Sequence, residues 1–247
     1  LIGKGTQISK YIINHDKIYE AVLQLGIKTD TADGEGKIIE EKLVPESALE
    51  KENIEKVLEN LTGEQAQIPP MYSAVKIGGK KLYELARKGQ SVERKPREIT
   101  ISRMELLSFQ GTEARLRVRC SKGTYVRTLC HDIGMTLGCG GCLSSLRRTM
   151  AGRFSLEDCV TLEQVQAARE QGNLAELVRP VDSLFREVPA LTLEERWTVR
   201  CKNGGEIPMP TAAEGPYRVY GPGGEFLMLG QVRQGTLRTV KSFFEVK

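Results

Sequence analysis

The stretch from Glu113 to Gly134 places the strongest constraint on the fold of this chain. In 113–120, apolar residues alternate with Arg115, Arg117 and Arg119, a period of two that predicts a half-buried strand. A glycine turn follows at 121–124, and 124–137 has the pattern of a helix. The strand–turn–helix unit, together with the paired arginines that follow it in 146–154, brings cations close to an aromatic side chain. Such a combination suits a polyanion that carries flat bases.

The remaining pattern predicts an α+β fold with a mixed, largely antiparallel sheet flanked by helices. Strands are expected at 17–25, 37–44 and 98–109, and helices at 6–14, 45–60, 80–88 and 160–169. After Asp182 the chain becomes rich in Gly and Pro with short apolar runs, which predicts a small β-barrel or sandwich. We therefore predict two domains, 1–185 and 186–247. No apolar run has the length of a membrane span and no export signal opens the chain, so we expect a cytoplasmic protein.

The six cysteines are expected to be free thiols in a reducing compartment. Cys139 and Cys142 have the spacing of a metal or redox motif, but no second pair of this kind exists in the sequence. A tight glycine turn with two small buried thiols is the simpler interpretation, and no metal is expected. A zinc or thiol-redox protein built on these two cysteines remains an alternative.

Positive charge is clustered in one segment of the chain, although the net charge of the whole chain is small. The net charge is +4, yet 76–97 contains eight Lys or Arg against two Glu. A cluster of this kind is typical of a face that contacts phosphates. The alternative is an ordinary solvated surface.

Tyr19 and the pair Arg147–Arg148 are candidates for a base-binding pocket. An enzyme that acts on a base in folded RNA must flip that base out, and then needs an aromatic to stack on it and cations to hold the backbone. Tyr19 lies on the predicted strand 17–25, where an ordinary sheet-face position is the more common role for a tyrosine. One of two adjacent arginines on a regular element can face inward, where it requires a carboxylate partner. The alternative is a pair of surface arginines.

Several motifs of this chain resemble the TruB family of bacterial tRNA pseudouridine synthases, which modify the T-loop uridine at tRNA position 55. The matching segments are Asp16-Lys-Ile-Tyr19, Gly26-x-x-Thr-Asp-Thr31, Ile68-Pro-Pro-Met-Tyr-Ser-Ala-Val-Lys76, Gly79-Lys-Lys-Leu-Tyr-Glu84, Cys120-Ser-Lys-Gly-Thr-Tyr125 and Leu146-Arg-Arg148. The resemblance implies a pseudouridine synthase fold in 1–185. It also implies a thumb loop at about 67–95 that grips the T-loop, and a PUA-like RNA-binding domain in 186–247.

The same resemblance implies roles for individual residues. Tyr19 would stack on the target base and assist deprotonation at C5, and Arg147 would pair with a nucleophilic aspartate. No cofactor and no protein partner are implied; the expected partner is the T-arm of tRNA, bound by a monomer. The further substrate contacts expected are Tyr72, Lys76, Lys80, Lys81, Arg87, Lys122, Tyr125, Arg127, Ser145 and Leu162. Ser145 stands where some members carry an aromatic residue.

The nucleophilic aspartate is expected upstream of Leu1. In the family it belongs to a Gly-x-Leu-Asp-Pro-like motif, and residues 1–247 contain no such motif. Asp132 and Asp158 lack a matching context. The chain as written is therefore expected to bind RNA without turning it over. A non-catalytic RNA-binding or RNA-folding protein is the alternative if the gene product starts at Leu1.

Overall fold

A computed structural model describes residues 1–244 of the chain. The strands are β1 (Lys17–Leu25), β2 (Ile27–Thr29), β3 (Ile38–Glu41), β4 (Gly63–Gln67), β5 (Lys76–Ile77), β6 (Lys80–Lys81), β7 (Arg97–Gln110), β8 (Glu113–Cys120), β9 (Gly141–Ala151), β10 (Phe154–Ser155), β11 (Ala190–Thr192), β12 (Ile207–Pro208), β13 (Gly215–Tyr220), β14 (Phe226–Arg233) and β15 (Thr236–Ser242). The α-helices are α1 (Ser9–Ile12), α2 (Glu46–Leu49), α3 (Lys51–Asn60), α4 (Leu82–Ala86), α5 (Val126–Thr136), α6 (Leu162–Glu170) and α7 (Glu195–Lys202). Short 3-10 helices lie at Gly3–Ile8, Leu156–Asp158, Leu174–Leu177 and Val181–Phe185.

The larger sheet has six strands in the order β10-β9-β1-β8-β7-β4, and all of its neighbours run antiparallel. The alternation predicted for β8 is confirmed, because its apolar residues are fully buried and its three arginines are exposed. The buried residues of β1 face the same core. α3 and α5 cover this face with apolar residues of both helices, among them Ile54 and Leu129. The helix-flanked antiparallel sheet expected from the sequence is thus present.

Three elements differ from the sequence-based prediction. β9 was expected only as an arginine-bearing segment, because its mixed polar residues show no clean alternation, yet it pairs with β1 along nine residues of that strand. The helix predicted over 45–60 is interrupted at Glu50, whose ψ of 127° is extended. The tail contains the helix α7, which buries Thr198 and Cys201, among the strands that its Gly- and Pro-rich composition predicted.

The tail forms a second sheet in the order β11-β13-β14-β15-β12, with one parallel pair, β11 with β13. Its own core is built from residues such as Leu193, Ile207, Val219, Leu227 and Val232. Within residues 1–244, the edge strands β11 and β12 are not paired with each other. The described residues therefore form a separate β sheet here, and a small closed barrel is not confirmed.

The chain divides into two compact units, residues 10–159 and residues 1–9 together with the chain from 160 onward. This division differs from the predicted boundary near Phe185. Residues 181–188 are tied to the tail, since the Tyr220 hydroxyl donates to Asp182 Oδ2 at 2.7 Å and Arg218 Nε donates to the Val188 carbonyl at 2.8 Å. Within residues 1–244, no helix is long and apolar enough to cross a membrane.

Candidate functional site

Tyr19 lies on β1 and packs, half-buried, against the core of the larger sheet. Its partner in register on β9 is Arg148, whose guanidinium lies close enough to act on the pKa of the phenol. Burial raises the pKa of Tyr19, the nearby Cys120 thiol adds to this, and Arg148 opposes it. The phenol is therefore neutral at pH 7 and presents a half-open aromatic ring beside a cation.

Arg147 and Arg148 are both exposed in this chain. Successive side chains of a strand point to opposite faces of a sheet. Arg148 shares the face of Tyr19, whereas Arg147 is in register with Glu20 on the other face. The arginine of this pair that lies beside Tyr19 is thus Arg148.

Arg127 has the environment that was expected of Arg147. It is the second residue of α5, and its side chain is 21% exposed. Its Nη1 donates to Asp33 Oδ2 at 2.8 Å and its Nη2 donates to the carbonyl of Tyr72. The guanidinium also lies 5.9 Å from the ring centroid of Tyr125. Two of the expected substrate contacts, Tyr72 and Tyr125, are therefore brought together around the guanidinium of a third, Arg127.

Asp33 was not among the site residues expected from the sequence. Thr31 Oγ1 donates to its Oδ1 at 2.6 Å, and Thr29 Oγ1 donates to its carbonyl at 2.7 Å. Main-chain bonds fasten the turn to β9, because Gly34 N–H donates to the carbonyl of Leu143 at 2.8 Å and Leu143 N–H donates to Ala32. A turn rich in Thr and Asp beside an arginine-bearing helix was the available signal.

Leu146 lies on the shared face of β1 and β9, between the pair Tyr19–Arg148 and the point at Leu143 where the Asp33 turn is fastened. It is in register with Ala21, the next residue of that face of β1 after Tyr19, and Leu143 follows opposite Leu23. Its side chain is 45% exposed, which is unusual for a leucine on the core-facing side of a sheet. This face therefore presents an exposed apolar surface at Leu146, called the apolar floor below, and Tyr19 and Arg148 lie beyond one end of it.

The thumb segment begins at Gln67 and carries the β5–β6 hairpin. Gly78 and Gly79 form the predicted turn with φ of +58° and +82°, which glycine adopts at little cost. Leu82 is fully buried and anchors the segment. Lys81 Nζ donates to the Tyr83 hydroxyl at 3.0 Å. The other expected cations of this segment are exposed: Lys76, Lys80 and Arg87.

The base of the thumb is joined to the 121–125 turn by a reciprocal pair of hydrogen bonds. Tyr125 N–H donates to Gln67 Oε1 at 2.8 Å, and Gln67 Nε2 donates to the Tyr125 carbonyl at 3.2 Å. Since Gln67 is buried, this pair fixes the position of Tyr125 relative to the hairpin.

Lys122, Ser145 and Leu162 are the remaining predicted contacts. Lys122 is exposed and donates to Asn14 Oδ1 at 2.6 Å. Ser145 is exposed and in register with Val22, on the face away from Tyr19. Leu162 begins α6 in the other compact unit and is 83% exposed.

The cysteines of the described residues are all free, and Cys139 and Cys142 are both buried. Burial raises the pKa of both thiols, which keeps them protonated and poorly reactive. In residues 1–244, no group of three or more His, Cys, Asp or Glu side chains is arranged to hold a metal ion.

Comparison with protein families decides the membership of the chain. A model of the TruB family pseudouridylate synthase N-terminal domain matches residues 1–126, and one of the tRNA pseudouridylate synthase B C-terminal domain matches residues 127–186. This chain belongs to the TruB family. Among its TruB relatives, tRNA pseudouridine synthase B of Stutzerimonas stutzeri (strain A1501) is 44% identical over 236 residues, which are 94% of this chain and 76% of the relative. That of Azoarcus sp. (strain BH72) is 42% identical over 239 residues, 96% and 77% of the two chains.

Solved structures agree on the fold of this TruB chain. A chain of an H/ACA RNP bound to a substrate RNA containing 2'-deoxyuridine aligns with a TM-score of 0.65 at 18% identity, covering 99% of this chain and 71% of the other. A chain of a Cbf5-Nop10-Gar1 complex aligns with a TM-score of 0.63 at 22% identity, covering 99% and 70%. At such low identity the likeness concerns the pseudouridine synthase fold alone.

Proposed function

We propose that this protein is a tRNA pseudouridine synthase that isomerises the T-loop uridine, position 55, to pseudouridine. The observation that carries the proposal is the shared face of β1 and β9. A neutral, half-buried Tyr19 lies beside Arg148 there, the exposed Leu146 follows, and the turn fastened to Leu143 carries the Asp33 that pairs with Arg127. These are an aromatic, an apolar floor and a preorganised cation, which a flipped pyrimidine and an attacking carboxylate require.

The reaction is an isomerisation, so it needs no oxidant, reductant or cofactor. A carboxylate attacks the ribose C1′ or the pyrimidine C6, and the bond between N1 and C1′ breaks. The uracil turns and C5 bonds to C1′. The bond from the carboxylate to C1′ or C6 breaks in turn, which releases the carboxylate, and the proton on C5 leaves to a base while N1 gains a proton. Residues 1–247 do not contain the family's aspartate motif. In this proposal the nucleophile is the aspartate of that motif.

Arg127 is proposed to hold that carboxylate ionised and aimed. A guanidinium has five N–H donors, and two nitrogens of Arg127 already bond to Asp33 and to the Tyr72 carbonyl. Donors remain for a second carboxylate, and the fixed partners reduce the entropy lost when it binds. This role was expected of Arg147, but the exposure of Arg147 on the opposite face favours Arg127.

Tyr19 is proposed to stack on the flipped uracil. Its raised pKa keeps the side chain protonated in the resting site, and the neutral phenol is a poor base. Help with the C5 proton therefore requires Arg148 to stabilise the phenolate. Arg148 is in the position to do this, because its interaction already lowers that pKa against the effect of burial.

The exposed cations of the thumb and the tail are proposed to bind the T-arm. Lys76, Lys80 and Arg87 project from the thumb and suit phosphates. The tail, with a core of its own, is proposed as a PUA-like RNA-binding domain. We place the reaction in the cytoplasm, where tRNA is modified, and expect a monomer to perform it.

The test compares arginine variants in a chain extended by the aspartate-bearing segment of a relative. Tritium release from tRNA labelled at C5 of uridine measures turnover. Arg127→Met should lower kcat by about 10²–10³-fold, the usual loss when one preorganised electrostatic group is removed. Arg147→Met is the matched control and should stay within about threefold, since it removes the same charge from the opposite face.

The chain of residues 1–247 without the extension should bind a T-arm stem-loop and release no tritium. A large loss in Arg147→Met with an active Arg127→Met would return the pairing role to Arg147. Turnover by residues 1–247 alone would place the nucleophile within them, and Asp16, Asp33, Asp132 and Asp158 would then be replaced one at a time. If the extended chain also binds RNA without turnover, the RNA-binding or RNA-folding role is the correct one.

A further inference from the structure

A second cleft lies at the base of the thumb, between the β5 strand of the hairpin and residues 93–97. It has a volume of about 390 Å³, which is enough for one nucleotide. Pro69, Val75 and Ile77 contribute apolar wall. Pro69 is buried, whereas Ile77 is 38% exposed at the rim. Of the expected substrate contacts, Lys76 lines this cleft, whereas Tyr19, Arg148, Arg127 and Asp33 do not.

Four cations surround this thumb-base cleft against a single carboxylate. Lys76, Arg94, Lys95 and Arg97 line it together with Glu93. An apolar wall with a net positive rim is complementary to a nucleotide, whose base is apolar on its faces and whose phosphate is anionic. The larger groove of the protein, about 480 Å³ between α3 and β7, carries Glu55, Glu59 and Glu105 and disfavours phosphate.

Arg94 is the side chain built into the cleft. Its Nη1 donates to the Pro69 carbonyl at 3.1 Å, which holds the guanidinium against the wall. Its Nε is buried and has no hydrogen-bond partner within residues 1–244. An unpaired buried donor costs free energy, so a small rearrangement around an incoming anion would be favourable.

We propose that the thumb-base cleft binds one unstacked nucleotide of an RNA strand, separate from the uridine that is modified. Arg94 and its neighbouring cations hold the phosphate, and the base lies against Pro69, Val75 and Ile77. A duplex does not fit this reading, because its bases are stacked inside the helix and cannot enter a concave pocket. The proposal rests on the proposed function only in taking RNA as the ligand.

The test measures binding of a uridine pentanucleotide to the chain of residues 1–247 at several salt concentrations, beside UMP and a blunt RNA duplex. Arg94→Met should weaken pentanucleotide binding about tenfold, the usual worth of a charge-assisted hydrogen bond. The slope of log K against log salt should fall by roughly 0.7, the value for one phosphate contact on a single strand. Lys88→Met is the matched control: Lys88 is an exposed cation that does not line the cleft.

A second variant tests the contribution of the base to binding separately from that of the phosphate, and it leaves Arg94 unchanged. Ile77→Gln should weaken pentanucleotide binding while leaving the salt slope unchanged, because it removes apolar wall and no charge. Ile77 is at the rim, so this variant should keep the melting temperature of the parent.

Equal losses in Arg94→Met and Lys88→Met would overturn the proposal in favour of diffuse charge. If UMP binds as tightly as the pentanucleotide, the ligand is a free nucleotide and the proposal is wrong. If binding of the blunt duplex depends on Arg94, the residue contacts RNA at the protein surface, and this result also overturns the proposal. None of these readouts needs turnover, so a cleft that binds the pentanucleotide stands even if the extended chain fails to isomerise tRNA.

Discussion

Replacing Gly134 with Ala should separate α5 from β9 and destabilise the unit that holds the candidate site. A Cβ at Gly134 would lie 2.3 Å from both the carbonyl carbon of Gly140 and the nitrogen of Gly141. Ordinary contacts between such atoms are about 3.5–4.0 Å, so the helix and strand must move apart by about 1.2 Å or more. The obstructing atoms belong to the backbone, and no side-chain rotation can relieve the clash.

The magnitude follows from two effects. Overpacking a well-packed contact costs about 1–3 kcal/mol. The movement also strains the bond in which Gly140 N–H donates to the Gly134 carbonyl at 2.8 Å, which is worth about 1 kcal/mol. A total of about 2–4 kcal/mol corresponds to a fall in melting temperature of roughly 5–15 °C for a chain of this size.

The assay is thermal unfolding followed by circular dichroism, with Gly34→Ala as the matched control. At Gly34 the nearest atoms to an added Cβ are the carbonyl oxygens of Leu143 and Ser144 at 3.8 Å, an ordinary contact. Because α5 also carries Arg127, Gly134→Ala should speed hydrogen exchange in the turn that contains Asp33. If Gly134→Ala has the same melting temperature as the Gly34→Ala control, the close packing of α5 on β9 is refuted.

Three further outcomes are expected. Cys159 is the exposed cysteine, so iodoacetamide at pH 7.5 should add one label to the native chain and further labels only after denaturation; rapid native labelling of Cys139 and Cys142 would revive the redox alternative. Burial holds the pKa of Tyr19 above its ordinary 10.0, so the unfolded state loses this proton first as pH rises through 10. The free energy of unfolding should therefore fall more steeply with pH in the parent than in Tyr19→Phe. Equal slopes in the two proteins would contradict the burial of the phenol. Tyr220→Phe should make residues 181–188 more sensitive to trypsin than Tyr217→Phe does, because only Tyr220 bonds to Asp182; equal cleavage of the two variants would show that this bond does not hold the segment.

Local pattern was sufficient for the elements whose signal repeats along the chain. The alternation in 113–120 predicted β8 with its correct faces, and 17–25 predicted β1 to the residue. The helix predicted over 160–169 is present as α6, and Thr161 and Gln164 form both hydrogen bonds of a capping box at its start. Each of these features depends on residues a few positions apart, so the amino-acid order alone carries the information.

The geometry of the candidate site depends instead on contacts between distant segments. Arg127 meets Asp33 although 94 positions separate them, and nothing in either local pattern identifies the partner. The choice between Arg147 and Arg148 depends on the register of β9 against β1, which shifts by a bulge between Ile18 and Tyr19. A one-residue slip sends every side chain to the other face, and register is decided by strand pairing and not by composition. The sequence by itself therefore determined the strands and helices whose pattern repeats locally, such as β1 and β8. Only the tertiary structure decided the pairing of β9, and with it which arginine faces a carboxylate and which faces the tyrosine.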